Sequence, residues 1–418
     1  MDIIVADGRI HSLLPPGHEN AWPHPHEVID VSGLAAVPGL VDMHVHLREP
    51  GQEHKETIET GTRAAVTGGF TAVCCMPNTT PANDSSVVLE QILTTAQTQG
   101  HCRVYPACAI TRGLAGEMLV DFAELVRLGA VAFTDDGMPV KNPAMMRRAL
   151  ESAAALGVPI LSHCEEISLV GKGLMNHGPV AEKLGCPGIP NTAESRMVER
   201  DIDLCRKTGA SLHICHVSTE ESVLALEKAK DEGLPVTAET APHYFTLTDE
   251  AVAARGANAK MNPPLRSERD RQAIRKALAE GTIDAIATDH APHSPAEKDA
   301  PFESAPNGIV GLETSLALSL ALVREGVLSL PDLIMKMSVN PARILGLAPR
   351  GIREGAQADI TFLDLEKSVV VDPERFVSKS RNTPFSDMKL TGAAAITLVD
   401  GKITYRLGPK PTSTRELP

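Results

Sequence analysis

A closed (β/α)8 barrel of the TIM type, carrying a small β-sandwich, is the fold class this sequence predicts. Three observations predict it. Eight apolar, strand-like runs alternate with helical patterns through roughly 300 residues of the middle of the chain. No Gly-x-Gly-x-x-Gly phosphate loop follows the first of these runs, which disfavours a doubly wound open sheet. Both chain ends carry short strand signals with too few apolar residues to fold alone, so they are expected to combine. The barrel is placed at residues 39–346, and the sandwich at residues 1–38 and 347–418.

In chain order, Ile3–Ala6, Arg9-Ile10 and Val28–Val31 read as strands around Pro/Gly/His-rich turns. His24 and His26 fall in the loop between them and read as solvated surface. Leu40–His46 is the first barrel strand. The others are expected at Thr71–Asn78, Arg103–Ile110, Val131–Asp136, Pro159–Glu165, Ser211–Ser218, Val236–Thr240 and Ile283–His290. Helical patterns lie between them at Ser85–Gln99, Pro143–Ala155, Ala193–Thr208 and Asp270–Glu280. Strands return at Asp359–Leu363, Ser368–Val371 and Ala395–Val399. Asp400-Gly401 then signals a hairpin turn into Lys402–Tyr405. The tail beyond Leu407 reads as a loosely packed extension.

With 418 residues, 43% of them hydrophobic, the chain can build a large core, and with 3% aromatics that core must be Ala, Val, Leu and Ile. A formal charge of −13 argues against nucleic acid or an anionic membrane as partner. No apolar run reaches the roughly 18 residues of a membrane helix, and no secretory signal is evident. The eight cysteines lack a disulfide framework and contain no Cys-x-x-Cys pair. They read as reduced, mostly buried thiols of a cytoplasmic protein without a structural zinc site. Cys74 and Cys75 should face opposite sides of their strand.

Barrel enzymes place their chemistry at the C-terminal ends of the strands. There the sequence offers His44 and His46 on strand one, Asp135 and Asp136 after strand four, and His163 after strand five. It adds His213 and His216 on strand six, and Asp289, His290 and His293 after strand eight. Residues i and i+2 of a strand share a face, so His44 and His46 project together, and Arg48 continues their parity. A lone buried histidine usually satisfies a core hydrogen bond. Several histidines and carboxylates meeting at one rim suit divalent metal, and six N/O ligands exceed the need of one tetrahedral zinc. His213 and His290 read as structural, Glu239 and His243 as supporting groups. Asp42 is expected to orient one of the histidines.

The run His44-Val45-His46-Leu47-Arg48-Glu49-Pro50-Gly51 resembles the first signature of the dihydroorotases, in the amidohydrolase superfamily. Met76-Pro77-Asn78-Thr79, Phe133–Gly137, Met261–Arg266 and Ala287–His293 resemble its later signatures, in order and over nearly the whole chain. The long bacterial type is the most similar subgroup. That resemblance implies His44 and His46 on a first zinc ion and His163 and His216 on a second. Asp136 would bridge them, where many relatives carry a carboxylated lysine. Asp289 would ligate the first ion and shuttle a proton. Arg48, Asn78 and His293 would hold the free carboxylate of the substrate. Asn262 and the backbone around Pro306 and Asn307 would grip its pyrimidine ring.

The implied reaction is the reversible closure of N-carbamoyl-L-aspartate to L-dihydroorotate in pyrimidine synthesis, by a zinc-dependent dimer with one or two ions per chain, two favoured. Aspartate transcarbamoylase is the candidate protein partner. Two other readings compete. One is another cyclic amidohydrolase, such as an allantoinase or hydantoinase, in which the Leu47-Arg48 clamp is not expected. The other is a non-catalytic subunit supporting aspartate transcarbamoylase, in which ligands would be lost.

Overall fold

The computed structural model describes residues 1–16 and 27–408. His24, His26 and the tail from residue 409 lie outside the described residues. Eight parallel strands form one sheet in chain order: Leu40–Val45, Phe70–Cys75, Arg103–Cys108, Ala132–Phe133, Ile160–Ser162, Leu212–Ile214, Val236–Thr240 and Ala285–Ile286. The ring closes where Val45 bridges His290, and the His46 amide donates to the His290 carbonyl at 2.8 Å. This is the expected (β/α)8 barrel.

The first two strands are buried at every residue, as parallel strands covered on both faces must be. Met43, Cys74, Ala107, Ala132, Leu161, Cys215 and Ala285 cluster inside the barrel. Val45, Val73, Cys75, Cys108, Phe133 and Ile214 face outward, against the helices. Cys74 and Cys75 therefore lie on opposite sides, and all eight cysteines are free thiols.

The helices begin and end where local chemistry dictates. Asn142 caps Pro143–Leu156 by accepting from the Ala144 and Met145 amides, with Pro143 preset for the first turn. Ser267 and Asp270 form a reciprocal capping box on Glu268–Glu280. Gly157 and Gly281 end these two helices in left-handed conformation (φ +70° and +85°). No described helix is long and apolar enough to cross a membrane.

The chain ends meet in a four-stranded antiparallel sheet, ordered Lys402–Arg406, Lys389–Val399, Ile360–Val370, Ala35–Pro38. The hairpin Asp2–Ala6/Arg9–Leu14 attaches to it through an Arg9–Gln357 bridge and an Ile10 N to Ala356 O hydrogen bond of 2.9 Å. Ile10, Ile360, Phe362, Ile396 and Leu398 form the shared apolar layer. On the barrel side, Thr361 Oγ1 donates to Gly69 O at 2.6 Å, and Thr397 Oγ1 to Val66 O at 2.7 Å. Asp400 and Gly401 both have positive φ (50° and 71°), as a two-residue hairpin loop requires. Val28–Val31, expected as a strand, is irregular: Ile29 and Val31 pack on the apolar layer, but the chain turns at Ser32-Gly33 before any pairing begins.

Most barrel strands are shorter than the apolar runs suggest. Val131–Asp136 shrinks to Ala132–Phe133, and Ile283–His290 to Ala285–Ile286. At their C-terminal ends, the residues lost are those of the rim, Thr134–Asp136 and Ala287–His290. His216 and Asp289 take positive φ (37° and 47°), a conformation incompatible with a strand and costly for a non-glycine residue.

Candidate metal centre

His44 lies within the first strand, and His46 just past its end. Their rings are 5.6 Å apart, projecting to one side as the spacing predicts. Asp136, on the loop after strand four, sits at the centre of the cluster. Its Oδ1 lies 3.3 Å from His44 Nε2, 3.5 Å from His163 Nδ1 and 3.8 Å from His216 Nε2. Its Oδ2 lies 3.5 Å from His46 Nε2. Asp289 Oδ1 approaches His46 Nε2 at 3.1 Å and His44 Nε2 at 3.7 Å. His163 Nδ1 and His216 Nε2 face each other at 2.9 Å.

Burial pushes the Asp136 carboxyl toward neutrality, but His44, His163 and His216 outweigh it and hold the group well below the usual carboxylate range. Asp289 is held low in the same way, against burial, by His46 and His44. The cluster therefore presents two carboxylates ringed by imidazole nitrogens. Among the described residues, the buried Nε2 of His44 has no hydrogen-bond partner. Two overlapping triads, His44–Asp136–His216 and His44–His46–Asp289, each keep their donor atoms within 4.8 Å of one another. A nitrogen/oxygen donor set with an orphaned imidazole nitrogen at its centre fits a divalent cation.

Supporting groups fix the rings. Glu239 Oε1 lies 2.7 Å from His44 Nδ1, and Asn78 Oδ1 lies 2.8 Å from His46 Nδ1. With Nδ1–H donating to these acceptors, each ring turns its Nε2 toward the centre of the cluster. Glu165, which the sequence reading passed over, stands 3.5 Å from His163 Nε2. Its signal was its place two residues beyond a candidate ligand.

Asp42 differs from expectation. It accepts from the backbone amides of His44 (3.1 Å) and Thr288 (3.1 Å) and orients no imidazole. It sews the first strand to the eighth, because its side chain points into the seam. Asp135 turns away and accepts from the Ile110 and Thr111 amides at 2.8 and 3.0 Å. His213 is taken up by Thr237 Oγ1 at 2.8 Å, and His290 by Glu56 at 3.3 Å. His243 is buried edge-on to Tyr244, and burial pushes it down to about 4.

Arg48 does not continue the strand parity. The ladder ends at Val45, and Arg48 has φ +62°. This bend carries its side chain to the eighth-strand loop, where Nε donates to Pro292 O at 3.2 Å and Nη2 lies 3.5 Å from His293 Nε2. Burial lowers its pKa to about 10, so it stays charged. His293 donates from Nε2 to Asn307 O at 2.7 Å. Burial and the charge of Arg48 push it down to about 3, so the ring is neutral and its buried Nδ1 is a bare acceptor. Asn78, expected on the substrate carboxylate, also donates to Asp136 Oδ2 at 3.2 Å and is engaged at both ends of its amide. Asn262 is half-buried and lines a cleft with Glu165 and Arg266. Pro306 O accepts from Lys298 Nζ at 2.9 Å, and Asn307 is exposed beside it.

A family model described as dihydro-orotase-like matches residues 33–222. The dihydroorotase of Desulforapulum autotrophicum is 55% identical over 405 residues, covering 97% of this chain and 95% of that protein. That of Geobacter metallireducens is 52% identical over 406 residues, with the same coverage. Among solved structures, the L-hydantoinase of Arthrobacter aurescens superposes with a TM-score of 0.88 at 26% identity, covering 97% of this chain and 92% of that one. The D-hydantoinase of Thermus sp. shares the fold, with a TM-score of 0.80 at 24% identity over 98% and 93% of the two chains. The hydantoinases share the architecture at a quarter of identical positions; the dihydroorotases share half the residues along nearly their whole length, and the chain belongs to the dihydroorotase family.

Proposed function

We propose that the chain catalyses the reversible cyclisation of N-carbamoyl-L-aspartate to L-dihydroorotate. One observation carries the choice of substrate. Arg48 is only 8% exposed at the rim, and among the described residues it has no carboxylate at ion-pair distance. A buried cation without a carboxylate partner among the described residues, beside a metal-compatible cluster, suits an anionic substrate. Dihydroorotate carries that carboxylate and hydantoin does not. The likeness to a hydantoinase favours the broader class, cyclic amide hydrolysis, and Arg48 divides the two readings.

His44, His46 and Asp289 would hold one zinc ion and His163 and His216 a second, with Asp136 between them. Divalent metal at such a site supplies a nucleophile at neutral pH and polarises the amide carbonyl. The chain's own groups do the rest. Asp289 takes a proton from the attacking water and returns it to the departing ring nitrogen. In the direction of ring closure it removes the proton from the attacking nitrogen. Arg48 pairs with the free carboxylate in fork geometry. His293, neutral and tied to Asn307 O, forms the wall beside that carboxylate. Asn262 and the Pro306-Asn307 backbone face the ring.

The reading includes a cytoplasmic homodimer acting on a small molecule, with aspartate transcarbamoylase as candidate partner. It keeps a barrel domain at residues 39–346 and a sandwich domain from the two ends. Eight free thiols support a reducing compartment. The test is turnover of dihydroorotate, hydantoin and allantoin by the purified, zinc-loaded chain. Dihydroorotate should be preferred, and Arg48→Met should abolish most of that turnover with bound metal unchanged. Equal activity on hydantoin, or near-normal dihydroorotate turnover in the variant, would refute the assignment.

A further inference from the structure

Asn382 belongs to neither a barrel strand nor the rim. It lies in the segment between Ile360–Val370 and Lys389–Val399, which packs against the loops carrying His293 and Gly308. Its side chain is 3% exposed. Oδ1 accepts from the His293 amide at 3.2 Å, and Nδ2 donates to Ala291 O and Gly308 O, both at 3.0 Å. Its backbone carbonyl accepts from Val310 N at 2.8 Å. One amide thus joins the loop after Asp289 to the loop that carries Asn307.

The join is tight. Gly308 has φ +123°, and a Cβ there would lie 2.6 Å from Ala291 Cβ, so the two loops touch with no room for a spacer. Gly308 O takes a second hydrogen bond from Lys298 Nζ at 2.9 Å. The segment is itself fixed. Glu313 accepts from the Val377 and Ser378 amides at 2.9 and 3.1 Å. Glu56 accepts from the Lys379 amide at 3.1 Å and from the Ser378 hydroxyl. Ser380 Oγ donates to Lys55 O at 2.8 Å.

We propose that Asn382 is a positioning residue that sets the gap between His293 and the Asn307 backbone, and so substrate affinity. This rests on the dihydroorotase reading. Among the described residues, Asn382 makes no hydrogen bond to a side chain of the metal-compatible cluster, so it acts through the substrate loops alone.

The test compares wild type, Asn382→Ala and Ser380→Ala as zinc-loaded full-length protein. In Asn382→Ala, KM for dihydroorotate should rise about tenfold, kcat should change less than about threefold, and bound zinc should be unchanged. Ser380→Ala weakens the same segment away from both loops and should keep KM within about twofold. A merely structural role would lower thermal stability in both variants and leave KM alone. Unchanged KM in Asn382→Ala, or loss of zinc, overturns the proposal. If that variant does not fold, Lys298→Met removes the other donor to Gly308 O and should raise KM in the same way; an unchanged KM there also overturns it. Limited proteolysis within residues 299–307 gives a readout free of activity. Asn382→Ala should be cut faster there than wild type, and equal rates overturn the proposal even if wild type proves inactive on dihydroorotate and the parent reading fails.

Discussion

Glu239 Oε1 lies 2.7 Å from His44 Nδ1, with both side chains buried inside the barrel. Burial pushes the Glu239 carboxyl up, but the imidazoles of His213, 3.4 Å away, and of hydrogen-bonded His44 outweigh it and hold it at about 2. An anion fixed at that distance keeps the proton on Nδ1 and turns Nε2 toward the centre of the metal-compatible cluster. Glu239→Gln preserves the shape and removes the charge. Zinc affinity should fall roughly 10–100-fold, read by competition with a chromophoric chelator. An unchanged affinity would show that His44 does not need its carboxylate.

Asp136 meets four imidazoles, and the nearest lysine along the chain, Lys141, is exposed on the following loop. A lysine must react with carbon dioxide before it can bridge two metals; aspartate is a carboxylate already. The apo-protein should regain full activity with zinc alone, without bicarbonate. Asp136→Ala should lose at least one ion and nearly all activity, and Lys141→Ala neither. Elemental analysis of the two variants decides the matter, and bicarbonate-dependent recovery would reassign the bridge.

Asp289 is proposed to carry the proton between water and ring nitrogen. Asp289→Asn retains one oxygen for metal and hydrogen bonding but cannot accept the proton. Its kcat should fall roughly 10²–10⁴-fold with a smaller change in KM. An unaltered pH–rate profile would exclude it as the shuttle.

Glu313 offers a pH effect away from the metal cluster. Burial and the charge of Glu56 push its carboxyl from an ordinary 4.5 up to about 7, despite hydrogen bonds from the Val377 and Ser378 amides. The folded state therefore binds this proton more tightly than the unfolded chain. The stabilisation is complete below the unfolded pKa and is lost as pH rises through the folded one. Glu313→Gln has no such proton to lose. Its melting temperature relative to wild type should climb between pH 4.5 and about 7 and level off above. A constant difference across that window would show that Glu313 does not titrate there.

The barrel was legible because buried parallel strands write themselves as apolar runs, and the helices between them because an apolar face recurs at helical period. Strand ends were not. The pattern of His213 to Ser218 still reads as a strand, whereas the backbone leaves the ladder after Ile214 and bends left-handed at His216. The same physics misplaced Arg48, whose parity argument assumed a strand that had already ended at Val45. Ligand-type residues could be found by residue chemistry and their place at strand ends. Their supports could not. Asn78 serves His46 and Asp136 across separations of 32 and 58 residues, and Asn382 reaches His293 across 89. No local spacing records such contacts.

The seam of the barrel also bears on the chain's birth. His46 and Asp289 meet across 243 residues, where the first strand closes on the eighth. At a synthesis rate of about 5–20 residues per second, some 12–50 s pass between the emergence of the two. Through that interval the nascent chain displays a His-x-His hook without its closing carboxylate. The ring cannot shut until about seven-tenths of the polypeptide has left the ribosome, so the metal-compatible cluster is completed only after most of the barrel has emerged.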